Sequence, residues 1–197
     1  MDFPINEIKT YRKNINEKLK ADGKQKISYN DILSALLLKH IVDDGRFFKD
    51  KAKISSAFDY RRILPKLGPC YFGNAISAAS FEISTFEINN SSIKELTLKF
   101  RNVTNSITCE NVLASLALFE AARLAPNGGM KFIQSIHVSD PYCGFLITNL
   151  SRVPLKDLNF GNGAPTEAIA LTPAPRTAII TKKENYFTVR VSPPKKD

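Results

Sequence analysis

The chain has 197 residues, of which 43% are hydrophobic and 24% are charged. This length suits one domain or one large subdomain, and the composition is typical of a globular protein rather than a disordered one. The formal net charge of +9 permits attraction to nucleic acid, an anionic membrane or a phosphorylated cofactor. Because the basic residues are dispersed and no nucleic-acid-binding motif accompanies them, we expect a solvated basic surface instead of a nucleic-acid site.

The cysteines and histidines exclude further classes of protein. Cys70, Cys109 and Cys143 are odd in number and widely spaced, which gives neither a disulfide framework nor a metal-binding pair. We therefore expect free, buried thiols in a reducing, cytoplasmic environment. His40 and His137 are too few for an obvious zinc site, so no metal is expected. No apolar run approaches the roughly 20 residues of a membrane span, and the N-terminus lacks a secretory-signal pattern.

The first part of the chain predicts two helices. Residues 6–20 are polar and lysine-rich with scattered isoleucine and leucine, which indicates a surface helix that packs weakly. Ser28 or Asn30 can cap a second helix, and Asp31 favours the N-terminus of that helix. Its apolar residues follow helical spacing and are expected to be mostly buried: Ile32, Leu33, Leu36, Leu37 and Ile41.

Two more helices are predicted in the middle of the chain. Ser92 and Glu95 have the spacing of a capping box, and they open a helix that runs to about Asn102. The next helix is predicted from about Glu110 to Leu124, and the glycine-rich turn that follows would end it.

Strands are predicted mainly after these helices. Residues 53–60 alternate loosely, and residues 81–88 alternate between apolar and polar side chains as a half-exposed strand does. Later strands are expected at 132–138, 144–148, 176–181 and 186–191, the last two as a hairpin. Helices early and strands late indicate an α+β, layered α/β fold. We expect a domain over 26–192, preceded by a polar arm of residues 1–25 and followed by a basic tail of residues 193–197.

Two glycine-containing motifs stand out. The first comprises Asp59-Tyr60-Arg61-Arg62 and Tyr71-Phe72-Gly73-Asn74. The second is Asn159-Phe160-Gly161-Asn162-Gly163-Ala164-Pro165, which follows Thr148-Asn149-Leu150. The two glycines of the second motif permit positive φ and close backbone approach, and Pro165 stiffens the exit. That segment therefore predicts a rigid loop against which other elements pack.

In this order the motifs resemble the C-terminal half of BAHD-type acyltransferases and of their trichothecene-acetyltransferase relatives, over about residues 26–192. Those proteins use CoA thioesters to acylate alcohols or amines. The resemblance implies a chloramphenicol-acetyltransferase-like subdomain, a mixed β-sheet with helices packed on one face. It further implies acyl-CoA as co-substrate, a small-molecule acceptor, and a channel between two similar halves. The expected partner is the N-terminal half of the same enzyme, or a second copy bound through an exposed apolar face.

The resemblance assigns roles to particular residues. Thr148 matches a position where a hydroxyl faces the reacting carbonyl and could stabilise its negative charge, although a threonine is also an ordinary strand residue. The other matched positions are assigned to the scaffold: Asp59, Arg61, Tyr71, Gly73, Asn74, Asn159, Phe160, Gly161, Gly163 and Pro165. Asn159 replaces a family aspartate whose expected partner is Arg61 or Arg62, so we expect one of these arginines to lack a carboxylate.

The family's general base belongs to a His-x-x-x-Asp-Gly motif in the N-terminal half, and this chain is expected to begin after that motif. The segment His40-Ile41-Val42-Asp43-Asp44-Gly45 nevertheless matches the pattern, which makes His40 and Asp44 catalytic candidates. However, His40 closes an apolar helical run and Gly45 follows like a helix C-cap, which favours a histidine stabilised by the helix dipole.

Three functions remain open from the sequence. The chain is a portion of an acyl-CoA-dependent O- or N-acyltransferase that contributes the C-terminal half of the channel, with the general base elsewhere. Alternatively, it is a non-catalytic binding or regulatory module derived from such an enzyme, which the asparagines of the second motif favour. The third alternative is a compact acyltransferase that uses His40 as general base.

Overall fold

The computed structural model of the chain describes residues 1–23, 25–64, 66–68, 70–125, 143–153, 159, 161–163, 165 and 174–194. The strands of this part are β1 (Asp2–Pro4), β2 (Lys51–Asp59), β3 (Ile76–Ser84), β4 (Gly144–Asn149), β5 (Thr177–Lys182) and β6 (Tyr186–Ser192). The helices are α1 (Ile5–Ala21), α2 (Tyr29–Ile41), α3 (Thr85–Asn90), α4 (Ile93–Asn105) and α5 (Cys109–Leu124).

The six strands form one mixed sheet in the order β1-β6-β5-β4-β2-β3. Strand β4 lies parallel to both β2 and β5, and the remaining pairs are antiparallel. The three parallel strands therefore end at the same edge of the sheet, with Asp59, Asn149 and Lys182 as their last residues. This topology confirms the predicted α+β class with a mixed sheet.

One face of the sheet carries the main core. The register places Ile54 beside Phe145 and Ile147 beside Ala178, so these side chains share a face. They pack with buried residues of α1, α2, α3 and α4 in a single cluster. Thr148 has the opposite parity to Ile147 and therefore belongs to the other face of the sheet.

Helix α2 is the central helix of this core. Its N-cap is Ser28: the Asp31 amide donates to Ser28 Oγ at 3.3 Å, and the Ser28 amide donates to Asp31 Oδ2 at 2.7 Å. This reciprocal pair satisfies two amides that the helix itself cannot. The predicted apolar set is buried except for Leu36, which is half-buried. Each fully buried aliphatic side chain contributes about 1.5–3 kcal/mol.

Helix α1 packs more closely than expected. Ile5, Ile8, Ile15 and Leu19 are all buried in the main core, and β1 pairs with β6 immediately before the helix. The prediction of a weakly packed surface helix was wrong because an apolar stripe at helical spacing lies between the lysines. The sequence-based boundary after residue 25 stays a prediction, although α1 and β1 share the core and sheet of the remainder.

The predicted strand at residues 81–88 is wrong in its second half. Strand β3 ends at Ser84, and α3 begins at Thr85. The Ser84 hydroxyl accepts a hydrogen bond from the Glu87 amide at 3.0 Å and so caps the new helix. The alternation of apolar residues continues past Ser84, but this cap and the pairing of β3 with β2 set the boundary. The strand predicted at 132–138 lies outside the described residues.

Helices α4 and α5 confirm the two later helix predictions. The Ser92 amide donates to Glu95 Oε2 at 2.7 Å and the Glu95 amide donates to Ser92 Oγ at 3.2 Å, which completes the predicted capping box. Helix α4 packs on the sheet through Phe100, whose ring centroid lies 5.1 Å from that of Phe81 in an edge-on arrangement. Helix α5 is capped by Thr108 and contributes one buried residue, Val112, to a separate small cluster.

Candidate functional site

Two adjoining grooves lie at the edge where the parallel strands end. The helix-side groove has a volume of about 510 Å³ and is lined by Ser28, Tyr29, Asn30, Asp31, Ala57, Arg101, Thr104, Asn149, Ser151, Arg152, Lys182 and Phe187. The strand-end groove has a volume of about 620 Å³ and is lined by Ala57, Phe58, Asp59, Arg61, Arg62, Ile76, Thr148, Asn149, Leu150, Arg152 and Val153. Ala57, Asn149 and Arg152 line both, so the grooves meet at the ends of β2 and β4. Open sheets with parallel strands commonly bind ligands at this edge.

Buried polar contacts form the wall of the helix-side groove. Asp31, only 1% exposed, forms an ion pair with Arg101 Nη2. Asn149 Nδ2 donates to Asn30 Oδ1 at 2.9 Å, and the Ser151 amide donates to Asn149 Oδ1 at 2.9 Å. These contacts join the first turn of α2 to α4 and to the end of β4. They fix the groove's shape. Among the described residues, no group of three or more His, Cys, Asp or Glu side chains could hold a metal ion.

The grooves carry a surplus of positive charge. Their described lining includes five cationic side chains and two carboxylates, a surplus of three: Arg61, Arg62, Arg101, Arg152 and Lys182 against Asp31 and Asp59. The N-terminus of α2 adds partial positive charge at the same place. Such a concave cationic edge attracts anions and is suited to phosphate groups.

Thr148 lies in the strand-end groove, one residue before Asn149 at the junction of the grooves. It is half-buried on the sheet face opposite to the helices. Its position at the end of a central strand makes it a polar group held by rigid backbone. A role for its hydroxyl in catalysis stays a prediction.

Arg61 joins the two parts of the first motif. Its Nη1 lies 3.0 Å from Asp59 Oδ2, while Nε and Nη2 donate to the carbonyl oxygens of Tyr71 and Gly73 at 3.1 and 2.6 Å. The Tyr60 hydroxyl also donates to the Asn74 carbonyl at 3.1 Å. These hydrogen bonds hold the two ends of the segment between β2 and β3 together. Of the two arginines expected as partners of the family's aspartate, Arg61 has a carboxylate, because Asp59 two residues earlier supplies it.

The Asn159 side chain holds the second motif in a turn. Its Oδ1 accepts hydrogen bonds from the amides of Gly161 and Gly163 at 2.9 and 3.1 Å. Both glycines have positive φ, 104° and 92°, which other residues rarely adopt. An amide oxygen makes these bonds as an aspartate would, so the loop needs no charge here. Pro165 is exposed, and Phe160 lies outside the described residues.

The structure does not bring His40 to the grooves. His40 is exposed in the last turn of α2, whereas the helix-side groove is formed by the first turn of that helix. The rise of 1.5 Å per residue puts Tyr29 and His40 about 16 Å apart along the axis. Arg46 Nη2 donates a hydrogen bond to Asp44 Oδ2 at 2.7 Å, and the hydrogen bonding from the Arg46 side chain holds the pKa of Asp44 below its ordinary value. His137 lies outside the described residues.

The sequence missed the groups that shape the helix-side groove. Asp31 was assigned only to a helix N-terminus, and Arg101, Arg152 and Lys182 were not singled out. The available signal was positional, because Lys182 and Arg152 stand at or just beyond the ends of predicted strands. Asn149 was part of a quoted motif, but its contact with Asn30 spans 119 positions and has no local signature.

Replacing Arg61 with alanine is expected to loosen the β2–β3 segment. Charge-assisted hydrogen bonds contribute about 1.5–3 kcal/mol each, but the site is partly exposed, so we expect a loss of about 1–2 kcal/mol. Limited proteolysis should cleave residues 66–73 faster in Arg61→Ala. Arg62→Ala, a change at the exposed neighbour, is the matched control and should cleave at the wild-type rate. Equal rates in both variants would contradict the role given to Arg61.

The same contact has a pH dependence. The Arg61 amide and then its guanidinium hold the pKa of Asp59 below its ordinary value of 3.8. A carboxyl whose pKa is lowered in the folded state stabilises the fold at pH values above 3.8. That stabilisation is lost as the pH falls through the lowered pKa of the folded state.

The fold is similar to that of part of solved BAHD-type acyltransferases, and the resemblance expected from the motifs is confirmed at the level of the fold. The TRI101 trichothecene acetyltransferase of F. sporotrichioides, complexed with coenzyme A and T-2, matches with a TM-score of 0.73 and 16% identity. That match covers 96% of this chain and 45% of the TRI101 chain.

Two further solved structures agree. TRI101 of F. graminearum, complexed with ethyl coenzyme A, gives a TM-score of 0.71 at 18% identity, over 94% of this chain and 42% of its own. Vinorine synthase gives a TM-score of 0.62 at 18% identity, and the match covers 96% of this chain and 42% of the vinorine synthase chain. The chain thus spans less than half the length of each. No protein-family model and no curated protein matches the sequence. Within the described residues, every helix is too short or too polar to cross a membrane.

Proposed function

We propose that the chain contributes the C-terminal half of the channel of an acyl-CoA-dependent O- or N-acyltransferase. The observation that carries this proposal is a pair of cation-rich grooves. They lie on a fold that matches less than half the length of each similar acyltransferase structure. Two of those structures hold coenzyme A or its ethyl derivative. A CoA thioester carries several phosphate charges, which complement the surplus of positive charge in the grooves.

The residues divide into three roles under this proposal. Arg152 and Lys182 lie at the ends of β4 and β5, where their charges attract the phosphates of the acyl donor. The Asp31–Arg101 and Asn30–Asn149 contacts hold the walls of the helix-side groove in place. Thr148, in the adjoining strand-end groove, supplies a hydroxyl that donates to the thioester oxygen as negative charge develops there.

The reaction also requires a general base, and the two carboxylates that line the described grooves, Asp31 and Asp59, are already paired with Arg101 and Arg61. The base removes the proton of a small-molecule alcohol or amine, whose oxygen or nitrogen attacks the thioester carbonyl. The tetrahedral intermediate collapses, the carbon–sulfur bond breaks, and the CoA thiolate takes up a proton. We assign the base to a completing half, because the neighbours are more than twice this chain's length and His40 lies far from the grooves.

Binding of acetyl-CoA to the chain, measured by isothermal titration calorimetry, tests the donor site. We expect binding that weakens about tenfold or more when Arg152 and Lys182 are both changed to alanine, which corresponds to 1.4 kcal/mol. Lys94→Ala, at an exposed position of α4 away from both grooves, should leave the affinity unchanged. Unchanged affinity in the double variant, or no binding of acetyl-CoA at millimolar concentration, would refute the donor site.

Release of CoA thiol separates the proposal from its alternatives. The chain alone should release no thiol from acetyl-CoA in the presence of alcohols or amines, and addition of the completing half should start the release. Release by the chain alone that His40→Ala abolishes would instead establish the compact enzyme. Binding of acetyl-CoA without release even in the completed complex would establish the non-catalytic module.

A further inference from the structure

Helix α5 is mostly apolar in composition but mostly exposed to solvent. Eleven of its 16 residues are Ala, Cys, Leu, Phe or Val, yet Val112 alone is buried. Leu113, Leu118 and Leu124 are 52%, 55% and 66% exposed. A helix that is apolar around its circumference is normally buried on all sides. This helix instead rests on the segment after β2 along one edge, through Val112 and its neighbours.

The exposed apolar residues share one side of the helix. At 100° per residue they fall within an arc of about 140°. We name this arc the α5 outer face, and its members are Leu113, Ala114, Ala117, Leu118, Ala121 and Leu124, all exposed. Glu110 is the charged residue within the same arc. The alanines occupy the middle of the face and the leucines its borders.

We propose that the α5 outer face binds the same face of a second copy of this chain. Charge favours this place for the contact. Two chains of net charge +9 repel each other, yet α5 carries only Glu110, Glu120 and Arg123, a net charge of −1. By contrast, the surface of α1 forms a groove lined by five cations and one carboxylate. The α5 outer face is therefore apolar and lies on a helix of low net charge, so little like-charge repulsion opposes contact between two copies.

The face is also complementary to itself. In an antiparallel pair with a two-fold axis at Ala117, Leu113 of each copy lies opposite Ala121 of the other. The small side chains at the axis let the two helices approach closely, while the leucines fill the space beside them. The same arrangement brings Glu110 near the end of the other helix that carries Arg123. A parallel pair would instead place Glu110 against Glu110.

The size of the face sets the expected affinity. A 16-residue helix is about 24 Å long, and one helix face gives less than the roughly 800 Å² per partner of a standard interface. We therefore expect a weak dimer with a dissociation constant in the micromolar range. The inference does not depend on the proposed acyltransferase function.

Sedimentation-velocity analysis of the chain, from about 1 to 200 μM, tests the proposal over the range expected of a small interface. The wild type should shift from monomer, 22.0 kDa, to dimer. Leu113→Glu/Leu118→Glu should weaken association at least tenfold, because dimerisation would bury four carboxylates. The milder Leu118→Ala should weaken it less. Far-UV circular dichroism verifies that each variant is folded.

Phe86→Glu is the matched control, since Phe86 is 76% exposed on α3 and lies outside the α5 outer face. This variant should dimerise like the wild type. A wild type that stays monomeric at the highest concentration would overturn the proposal. So would a dimer that survives the double change, or one that Phe86→Glu disrupts equally, because a different surface would then be responsible.

Discussion

Phe145→Ala is expected to lower the free energy of unfolding by about 3–5 kcal/mol, the range for truncating a large buried aromatic side chain. Phe145 is fully buried in β4, a central strand with parallel neighbours on both sides. Its ring centroid lies 5.7 Å from that of Phe47 and 5.9 Å from that of Phe48, in edge-on arrangements. Alanine would leave a cavity between these rings that the surrounding backbone cannot close.

Such a loss is a large fraction of the roughly 5–15 kcal/mol that stabilises a typical domain. Urea denaturation followed by circular dichroism measures it through the shift in midpoint. Phe72→Ala is the matched control, because Phe72 is fully exposed and should unfold at the wild-type midpoint. If the two variants unfolded alike, β4 would not be the packed centre of the sheet.

The same variant tests the link between core and site. Thr148 and Asn149 follow Phe145 by three and four positions on β4, so their placement depends on this strand. Phe145→Leu keeps much of the volume and should lose less than Phe145→Ala. Acetyl-CoA affinity should fall in the same order in these two variants while Phe72→Ala retains it.

Local signals predicted where α2 and α4 begin, since each of these helices starts at a residue with a recognisable capping role. Ser28 and Ser92 are N-caps with an acidic partner three residues later, a pattern that is readable without tertiary structure. Ser84 has the same role but was missed, because the alternation of Phe81 and Ile83 outweighed a single hydroxyl. In α1 the many lysines concealed a stripe of isoleucines that the core requires.

The order of the strands could not be predicted. The parallel pairing of β2 with β4 joins Lys53 to Gly144 across nearly half of the chain, and nothing in the sequence of either strand specifies which strand it pairs with. The grooves were missed for the same reason, because they exist only where such distant segments meet. The family resemblance supplied the class of fold and the position of Thr148, whereas the charges around Thr148 come from the three-dimensional arrangement.

The buried ion pair between Asp31 and Arg101 yields the second large prediction. Asp31→Ala is expected to cost about 3–5 kcal/mol, since removing one partner leaves an uncompensated charge in a poorly solvated place. The two residues are 70 positions apart, and the Arg101 side chain is 16% exposed. Asp44→Ala removes the carboxylate of an exposed Asp–Arg pair and serves as the control, with little change expected.

Asp31 also caps α2, so the cap and the ion pair must be separated. Ser28→Ala removes the capping hydroxyl but keeps the ion pair, and it should cost about 1 kcal/mol. The excess loss in Asp31→Ala then combines the charge left on Arg101 with the lost hydrogen bond from the Ser28 amide to Asp31. Because the Arg101 charge is one part of this excess, Asp31→Ala combined with Arg101→Met should recover part of the stability lost in Asp31→Ala alone. A double variant less stable than the single one would show that Arg101 stabilises the fold through contacts other than Asp31.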